Sequence, residues 1–176
     1  MNVRSKTLWL TRTAVLTAVL IALQWCTKPF GQLFTGSCVN GVLAVAALCS
    51  GLSSGLCIAA VSPVIAFFLS IGPDFFPLIP VIALGNCLYV LVIWLLAGKT
   101  GSKLWQMAAG VVSGAACKSA ALYLLVVQGI CRFAALSPQQ VSAFTAMFSA
   151  PQLITALIGG AAAVPVALSV RAAWKR

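Results

Sequence analysis

Acidic residues are almost missing from this chain of 176 residues, and histidine is missing altogether. Asp74 is the only acidic residue, so no pair of carboxylates is available for general acid and base catalysis. The seven cysteines form no C-x-x-C pair and have no histidine or carboxylate cluster to complete a metal site. We therefore expect no enzyme activity, no metal and no cofactor, and we interpret the cysteines as small, buried apolar residues.

Charged residues of either sign are scarce: they make up 7% of the chain, whereas hydrophobic residues make up 62%. A soluble domain of this length does not need so much apolar surface, so the composition predicts an integral membrane protein. Eleven basic residues against one acidic residue give a net charge of +10. These residues flank the apolar runs and do not form a basic groove, which argues against nucleic acid as a partner and is typical of membrane topology signals.

Six apolar runs are long enough for membrane-spanning helices in one bundle, with lipid around them. They predict an all-α membrane protein with a single domain over residues 1–176. Between the fifth and sixth runs, Ser137 begins a short helix, with Pro138 at its first position and Gln140 completing a capping box. We expect this helix to lie at the membrane interface, where it is placed to cover a pocket. The predicted spans are residues 8–25, 33–49, 56–71, 78–97, 104–127 and 152–170.

The basic residues predict the orientation of the bundle. The first run follows a basic tail and has no evident cleavage site, so we interpret it as a retained span and not as a signal peptide. With the N-terminus inside, the inner side holds three basic residues in the first tail, two between the fourth and fifth runs and three at the end of the chain. Lys28 and Arg132 lie outside. This excess predicts a multi-pass protein of the plasma membrane with both termini in the cytoplasm.

Lys118 is the only charged residue within residues 104–127. A lysine at the centre of a membrane helix costs about 2.5–3.5 kcal/mol on insertion scales, and such residues are commonly functional. Gly110, Gly114 and Lys118 share one helix face, and glycines at this spacing favour close helix packing. We expect Lys118 to point into the bundle and to bind an anionic group of a ligand. The alternatives are snorkelling to the interface and hydrogen bonds to backbone carbonyls.

Amide side chains are concentrated in the predicted outer half of the bundle. At about 1.5 Å per residue, Lys118, Asn86 and Asn40 lie about 10–13 Å below the outer ends of their helices, and Gln24 lies near such an end. The inner half has only hydroxyl groups, which can bond to their own helix. This asymmetry predicts a polar cavity open to the outside and argues against a channel. The predicted substrate-binding residues are Lys118, Asn86, Tyr89, Asn40 and Gln152.

Residues 97–100 (AGKT), just before the fifth run, resemble the end of a phosphate-binding loop. However, Ile93 stands where that loop requires glycine, and no strand precedes it. The chain is therefore not expected to hydrolyse ATP by itself.

Three alanines, Ala14, Ala18 and Ala22, recur every four residues in the first span and form a flat stripe on one helix face. Such small side chains let another helix approach closely, and van der Waals contact is the main force of helix association in lipid. The stripe is interpreted either as a contact surface for a partner protein or as ordinary packing inside the chain.

Further patterns are spread over nearly the whole chain. They are Ala14-x-x-x-Ala18, Ser62-Pro63 followed by Gly72-Pro73, Gly85-Asn86, and residues 148–153 (FSAPQL) leading into residues 155–160 (TALIGG). In this combination, and with six spans, the chain resembles the substrate-binding S component of an energy-coupling factor (ECF) transporter.

The resemblance implies a membrane-embedded binder for a vitamin or similar micronutrient, and Lys118 favours an anionic one. It implies a transmembrane T component and a pair of cytoplasmic ATPase subunits as partners. In that family the alanine motif of the first helix contacts the T component, which maps to Ala14, Ala18 and Ala22. The family's pocket lies in the outer half and is lined by helices four to six and outer loops.

Two interpretations of other classes stay open beside this resemblance. A solitary small permease or channel would transport without ATPase partners. A structural membrane subunit would show no saturable ligand binding.

Overall fold

The structure, a computed structural model, describes residues 3–98 and 103–174, which are helical almost throughout and contain no strand. π-helical turns extend three of the helices: Ala46–Ser50 follows α2, Trp94–Gly98 follows α4, and Tyr123–Ile130 follows α5 and leads into Cys131–Phe133. The helices are α1 (Val3–Thr27), α2 (Gln32–Val45), α3 (Leu52–Phe68), α4 (Leu78–Ile93), α5 (Leu104–Leu122), α6 (Pro138–Met147) and α7 (Ala150–Trp174).

Five of the helical stretches are long and apolar enough to cross a bilayer, and α3 is a shorter apolar helix of 17 residues. The predicted all-α membrane bundle is confirmed at this level, while the crossing of all six helices stays a prediction. The third predicted span, residues 56–71, is displaced, because α3 begins at Leu52 and ends at Phe68. α3 has its first turn directly after Gly51, so residues 52–55 are helical.

The stretch that carries Lys118 is longer than predicted. Helical turns continue beyond Val127 to Phe133, since no proline or glycine pair interrupts them before Ser137. Lys118 therefore lies about 22 Å from the end of this helical stretch at Phe133, instead of the predicted distance of about 13 Å.

One end of the bundle, here called the terminal end, carries the start of α1 and the end of α7. Trp9 Nε1 donates a hydrogen bond to Ser53 Oγ at 3.0 Å, which places the beginnings of α1 and α3 together. The Arg171 guanidinium on α7 donates to the carbonyl oxygens of Leu48 and Ala97. These carbonyls lie in the last described turns of the α2 and α4 stretches. Arg171 thus joins three helices at this end.

The opposite end, here called the loop end, contains the turn Lys28–Phe30, the connection 69–77 and helix α6. Lys28 Nζ donates to the Leu69 carbonyl oxygen at 3.2 Å and so connects the first two of these segments. Gly72 has φ of +104°, a conformation that glycine adopts without strain.

The predicted start of α6 is confirmed. Ser137 Oγ accepts a hydrogen bond from Gln140 N, and Gln140 Oε1 accepts one from Ser137 N at 3.0 Å, with Pro138 at the first helical position. Phe144 packs from α6 onto Phe75 with ring centroids 5.7 Å apart. The position of α6 at a membrane interface stays a prediction.

Several parts of the sequence interpretation lie outside the described residues. They are Lys99 and Thr100 of the AGKT motif and the basic residues Lys175 and Arg176.

The outside of the bundle is largely apolar, with exposed leucine, valine and phenylalanine side chains on every long helix. The expectation that the cysteines are buried is wrong for Cys26, Cys57 and Cys117, which are exposed, and the other four are half-buried. In lipid a small apolar thiol is as stable on the outer surface as in the core, so the preference for burial seen in soluble proteins does not apply.

Glycines set the closest helix contacts. Gly110 and Gly114 of α5 face Ile93 and Tyr89 of α4, and a Cβ added to Gly114 would lie 3.1 Å from Tyr89 Cδ2. The predicted close packing on the Lys118 face is therefore confirmed.

A second glycine seam joins α2 to α7. A Cβ added to Gly159 would overlap the Ser37 carbonyl oxygen and would lie 2.6 Å from Gly41 N. Because both of these neighbours are backbone atoms, neither can move aside as a flexible side chain would. The seam brings Asn40 of α2 beside Thr155 of α7, and it thus shapes the polar region described below.

We expect Gly159→Ala to lower the free energy of unfolding by about 1–3 kcal/mol, because the added methyl group overpacks this seam. Thermal unfolding of the purified protein in detergent measures the change. The matched control is Gly129→Ala, since a Cβ at Gly129 meets only the Leu124 carbonyl oxygen at an ordinary 3.5 Å. Equal stability of the two variants would contradict the assignment of the seam.

Candidate functional site

A cavity of about 400 Å³ opens at the loop end of the bundle. This volume is in the range of sites that bind small molecules. All seven helices contribute to its wall, and the turn at Lys28 and the 69–77 connection lie at its mouth. The wall is thus broader than the resemblance implied, because α1, α2 and α3 line the cavity together with the later helices.

Lys118 lies in the wall of the cavity and is only 3% exposed. Its Nζ donates hydrogen bonds to Asn40 Oδ1 at 2.6 Å and to Asn86 Oδ1 at 2.7 Å. The prediction that Lys118 points into the bundle is therefore confirmed, and the two alternatives, snorkelling and bonding to backbone carbonyls, are contradicted. The three side chains come from α5, α2 and α4.

Neighbouring hydroxyl groups fix the orientation of both amides. Asn40 Nδ2 donates to Thr155 Oγ1 and Asn86 Nδ2 donates to Ser62 Oγ, each at 3.3 Å. Since each amide nitrogen is engaged on the far side, each amide oxygen is held toward the ammonium group of Lys118. The network therefore extends into α3 and α7.

The position of Ser62 follows from the proline beside it. Pro63 has no N–H and leaves the Ala59 carbonyl oxygen without its helical donor. Ser62 Oγ lies 3.4 Å from this oxygen and donates to it. The Ser-Pro pair in the sequence thus supplies both a helix irregularity and a hydroxyl group at the cavity wall.

The positive charge of Lys118 has no carboxylate partner. Asp74, the single acidic residue of the chain, is exposed in the 69–77 connection. An ammonium group has three N–H donors, and in the described part of the chain Nζ makes the two hydrogen bonds to asparagine. One donor is left for a group inside the cavity. Because an ion withdrawn from water carries a penalty of several kcal/mol, the site suits an anionic occupant that offsets it.

Tyr89, predicted to share the pocket, lies behind the cavity wall and does not line it. Its hydroxyl group is fully buried and donates to the Ala156 carbonyl oxygen at 2.8 Å, because the glycine seams bring α4, α5 and α7 close together. The Tyr89 ring centroid lies 5.7 Å from Lys118 Nζ, within the range of a cation–π contact. Tyr89 thus supports Lys118 from behind.

Gln152, also predicted, does line the cavity. Its Nε2 donates to the Met147 carbonyl oxygen at 3.1 Å, and Gln32 Nε2 donates to the same oxygen at 2.9 Å. These two amides connect α2 and α7 to the end of α6.

Sequence reasoning did not assign several polar residues of the wall, namely Gln24, Lys28, Gln32, Thr35, Ser62 and Thr155. Two of them carried a usable signal: Ser62 precedes a proline inside a helix, and Thr155 lies four residues before Gly159 on the seam with α2.

On the terminal side of Lys118 the core is apolar. Among the described residues, the buried polar groups on that side are the Tyr89 hydroxyl, which bonds to Ala156, and the hydroxyls of Thr13 and Ser54, whose oxygens lie 2.8 Å apart. Thr17 Oγ1 donates to the Thr13 carbonyl oxygen of its own helix, as predicted for hydroxyl groups in this half. No polar path continues from the cavity to the terminal end in the part of the chain that the structure covers.

The alanine stripe lies on the surface of the bundle, since Ala14, Ala18 and Ala22 are all exposed. The buried face of α1 carries Leu20 and Gln24 instead. The interpretation of the stripe as packing inside the chain is therefore wrong, and the stripe is open to lipid or to another protein.

Comparison with protein families gave a match over most of the chain. The model of the family described as "ECF transporter, substrate-specific component" matches residues 9–171. The searches of curated proteins and of solved structures found no match to the chain.

We expect Asn86→Leu to lower the free energy of unfolding of the ligand-free protein by about 2–3 kcal/mol, because the buried ammonium loses one of its two acceptors. Adding Lys118→Met should restore most of this loss, since the group that needs the acceptor is then gone. Thermal unfolding in detergent of the two single variants and the double variant provides the measurement. Additive losses in the double variant would show that the two residues are not coupled.

Proposed function

The chain belongs to the substrate-specific components of ECF transporters, and from this premise we propose that it is the high-affinity binding subunit for uptake of a vitamin or similar micronutrient. Members of this family are transport subunits, and we assign no catalytic step to the chain. The observation that carries the proposal is the cavity at the loop end, in whose wall the buried ammonium group of Lys118 retains one donor for a ligand.

Binding is proposed to centre on Lys118. Its third N–H holds an anionic or strongly polar oxygen of the ligand, and Asn40 and Asn86 position the ammonium group for it. A charge-assisted hydrogen bond is stronger inside a desolvated site than in water, which supports a high affinity. Gln152 contributes to the polar part of the wall, and Phe67, Phe75 and Ile79 among others provide apolar contact area.

Uptake is proposed to need partners, namely a T component in the membrane and a pair of cytoplasmic ATPase subunits. The apolar core on the terminal side of Lys118 supports this, because a ligand in the cavity has no polar route onward through the chain itself. The proposed location is the plasma membrane with both termini in the cytoplasm, so that the cavity opens to the outside.

The exposed alanine stripe of α1 is proposed as the docking surface for the T component. Ala14, Ala18 and Ala22 leave the helix backbone accessible, and a partner helix gains close van der Waals contact there. This surface is distinct from the cavity, which α1 reaches with its other face.

Retention of small molecules tests the proposed function. The purified protein is equilibrated with the small-molecule filtrate of yeast extract, here called the yeast filtrate, then washed and denatured, and the released compounds are identified by mass spectrometry. The wild-type protein should retain a compound in near-stoichiometric amounts. Retention of nothing would overturn the proposed function and favour a structural membrane subunit. Passage of a compound across liposomes that contain only this chain would favour a permease.

Lys118→Met should weaken retention about ten- to hundredfold, the loss expected for a charge-assisted hydrogen bond in a desolvated site. A dilution series of the yeast filtrate gives the half-saturation point of each protein. Lys103→Met is the matched control, because Lys103 is exposed at the start of the same helix and should bind as the wild type does. If both variants have the wild-type half-saturation point, Lys118 is not a ligand contact.

Ala14→Trp and Ala18→Trp should separate docking from binding. The indole group holds a partner helix away and removes its contacts, whereas the cavity lies at the other end of α1. We expect co-purification with the T component to be lost, uptake into cells to fall, and retention from the yeast filtrate to stay at the wild-type level.

The control for this pair is Ala116→Trp, an exposed alanine on α5, a helix that packs on α4 and α7. It should leave co-purification and binding unchanged. Co-purification that survives in both α1 variants would show that the stripe is not the docking surface.

A further inference from the structure

Gln24 is a buried residue of α1 with an unused acceptor. It is 4% exposed and lines the cavity. Its Oε1 is buried and has no hydrogen-bond partner, and it is the only such side-chain atom found in the described residues. Buried polar atoms in native structures are nearly always paired, so an orphaned oxygen in a cavity wall calls for a specific explanation.

The neighbouring side chains do not supply a donor. The other cavity amides are engaged elsewhere: Gln32 and Gln152 both donate to the Met147 carbonyl oxygen, and Asn40 and Asn86 belong to the Lys118 network. Lys28 at the mouth donates to the Leu69 carbonyl oxygen. No group of the described residues donates to Gln24 Oε1, and the cavity that Gln24 lines is the remaining source of a donor.

We propose that Gln24 is a specificity-determining residue whose Oε1 accepts a hydrogen bond from an N–H or O–H group of the ligand. This inference rests on the proposed function and narrows the class of its substrate. The ligand carries two unlike polar groups, an anionic or carbonyl oxygen for Lys118 and a separate hydrogen-bond donor for Gln24.

The apolar part of the wall indicates what lies between these two groups. Phe67, Phe75, Ile79 and Ile82 line the same cavity. They favour a ligand with an apolar or ring portion, and the volume of about 400 Å³ limits it to a compact molecule. A small acid with a donor-bearing ring or amide fits this description, whereas a simple inorganic anion leaves Gln24 unpaired.

The two anchoring residues stand on helices with different main neighbours. Those of α1 are α2 and α3, whereas those of α5 are α4 and α7. A ligand held by both Gln24 and Lys118 therefore connects α1 to α5. Gln24 also lies on the helix whose other face carries the alanine stripe, so ligand binding acts directly on the helix proposed for docking.

Gln24→Met tests the inference, because methionine has nearly the same size and lacks the amide oxygen. Retention of the compound from the yeast filtrate should weaken about five- to hundredfold, as measured by the half-saturation point of the dilution series. The melting temperature of the ligand-free variant should be equal to or higher than that of the wild type, because an unpaired buried oxygen has been removed. Gln128→Met is the matched control, since Gln128 lies outside the cavity wall and bonds to the Tyr123 hydroxyl group.

A separate measurement tests the proposed chemical class of the ligand. The retained compound is transferred to deuterated solvent, and the mass shift counts its exchangeable hydrogens. A compound with an anionic or carbonyl group and at least one further N–H or O–H hydrogen supports the proposal. A compound without such a hydrogen overturns it.

Two further results would contradict the inference about Gln24. If Gln24→Met and the wild type retain the compound at the same half-saturation point, Oε1 is satisfied by water and Gln24 is not a ligand contact, while the proposed function stands. If the wild type retains nothing, the proposed function fails and this inference fails with it.

Discussion

The buried ammonium group of Lys118 is the constraint on which the rest of the loop half depends. A charge withdrawn from water inside a membrane protein must be surrounded by oxygen atoms, and here two asparagine oxygens from different helices provide them. Those asparagines are oriented by Ser62 and Thr155 on two more helices. Five helices thus meet around one nitrogen atom, and the cavity is the space that this network leaves open toward the loops.

Close packing makes that network feasible. Helices in lipid gain little from the hydrophobic effect between themselves, so van der Waals contact and hydrogen bonds must hold them. The glycines of α5 let α4 approach behind Lys118, and Gly159 lets α2 approach α7 at the level of Asn40. The terminal half is apolar and closed, and Arg171 fastens its last turns. One half of the bundle is therefore apolar and closely packed, and the other half holds the polar site.

Local patterns predicted much of this, and contacts between distant residues account for what they missed. The capping box of α6, the glycine face of α5 and the inward direction of Lys118 could be predicted from spacing within a single helix. The pairing of Lys118 with Asn40 could not, because 78 residues separate them. Tyr89 was predicted to share the pocket because it lies three residues after Asn86, but this spacing fixes a helix face only approximately. The Ala156 carbonyl of α7 decided where the Tyr89 hydroxyl points. The helical stretch that begins with α5 runs on to Phe133, beyond the predicted end at residue 127, because Gln128 and Gly129 do not stop a helix by themselves.

The third N–H of Lys118 also makes the cavity sensitive to small anions in the surrounding solution. With no carboxylate nearby, the ammonium attracts any small anion that enters from the aqueous side. Chloride and bicarbonate are small enough for the cavity. If Lys118 binds the ligand as proposed, either anion competes with the ligand for the same N–H. An affinity measured in a chloride buffer is then an apparent value, and the anions of the surrounding solution affect how tightly the subunit binds its ligand.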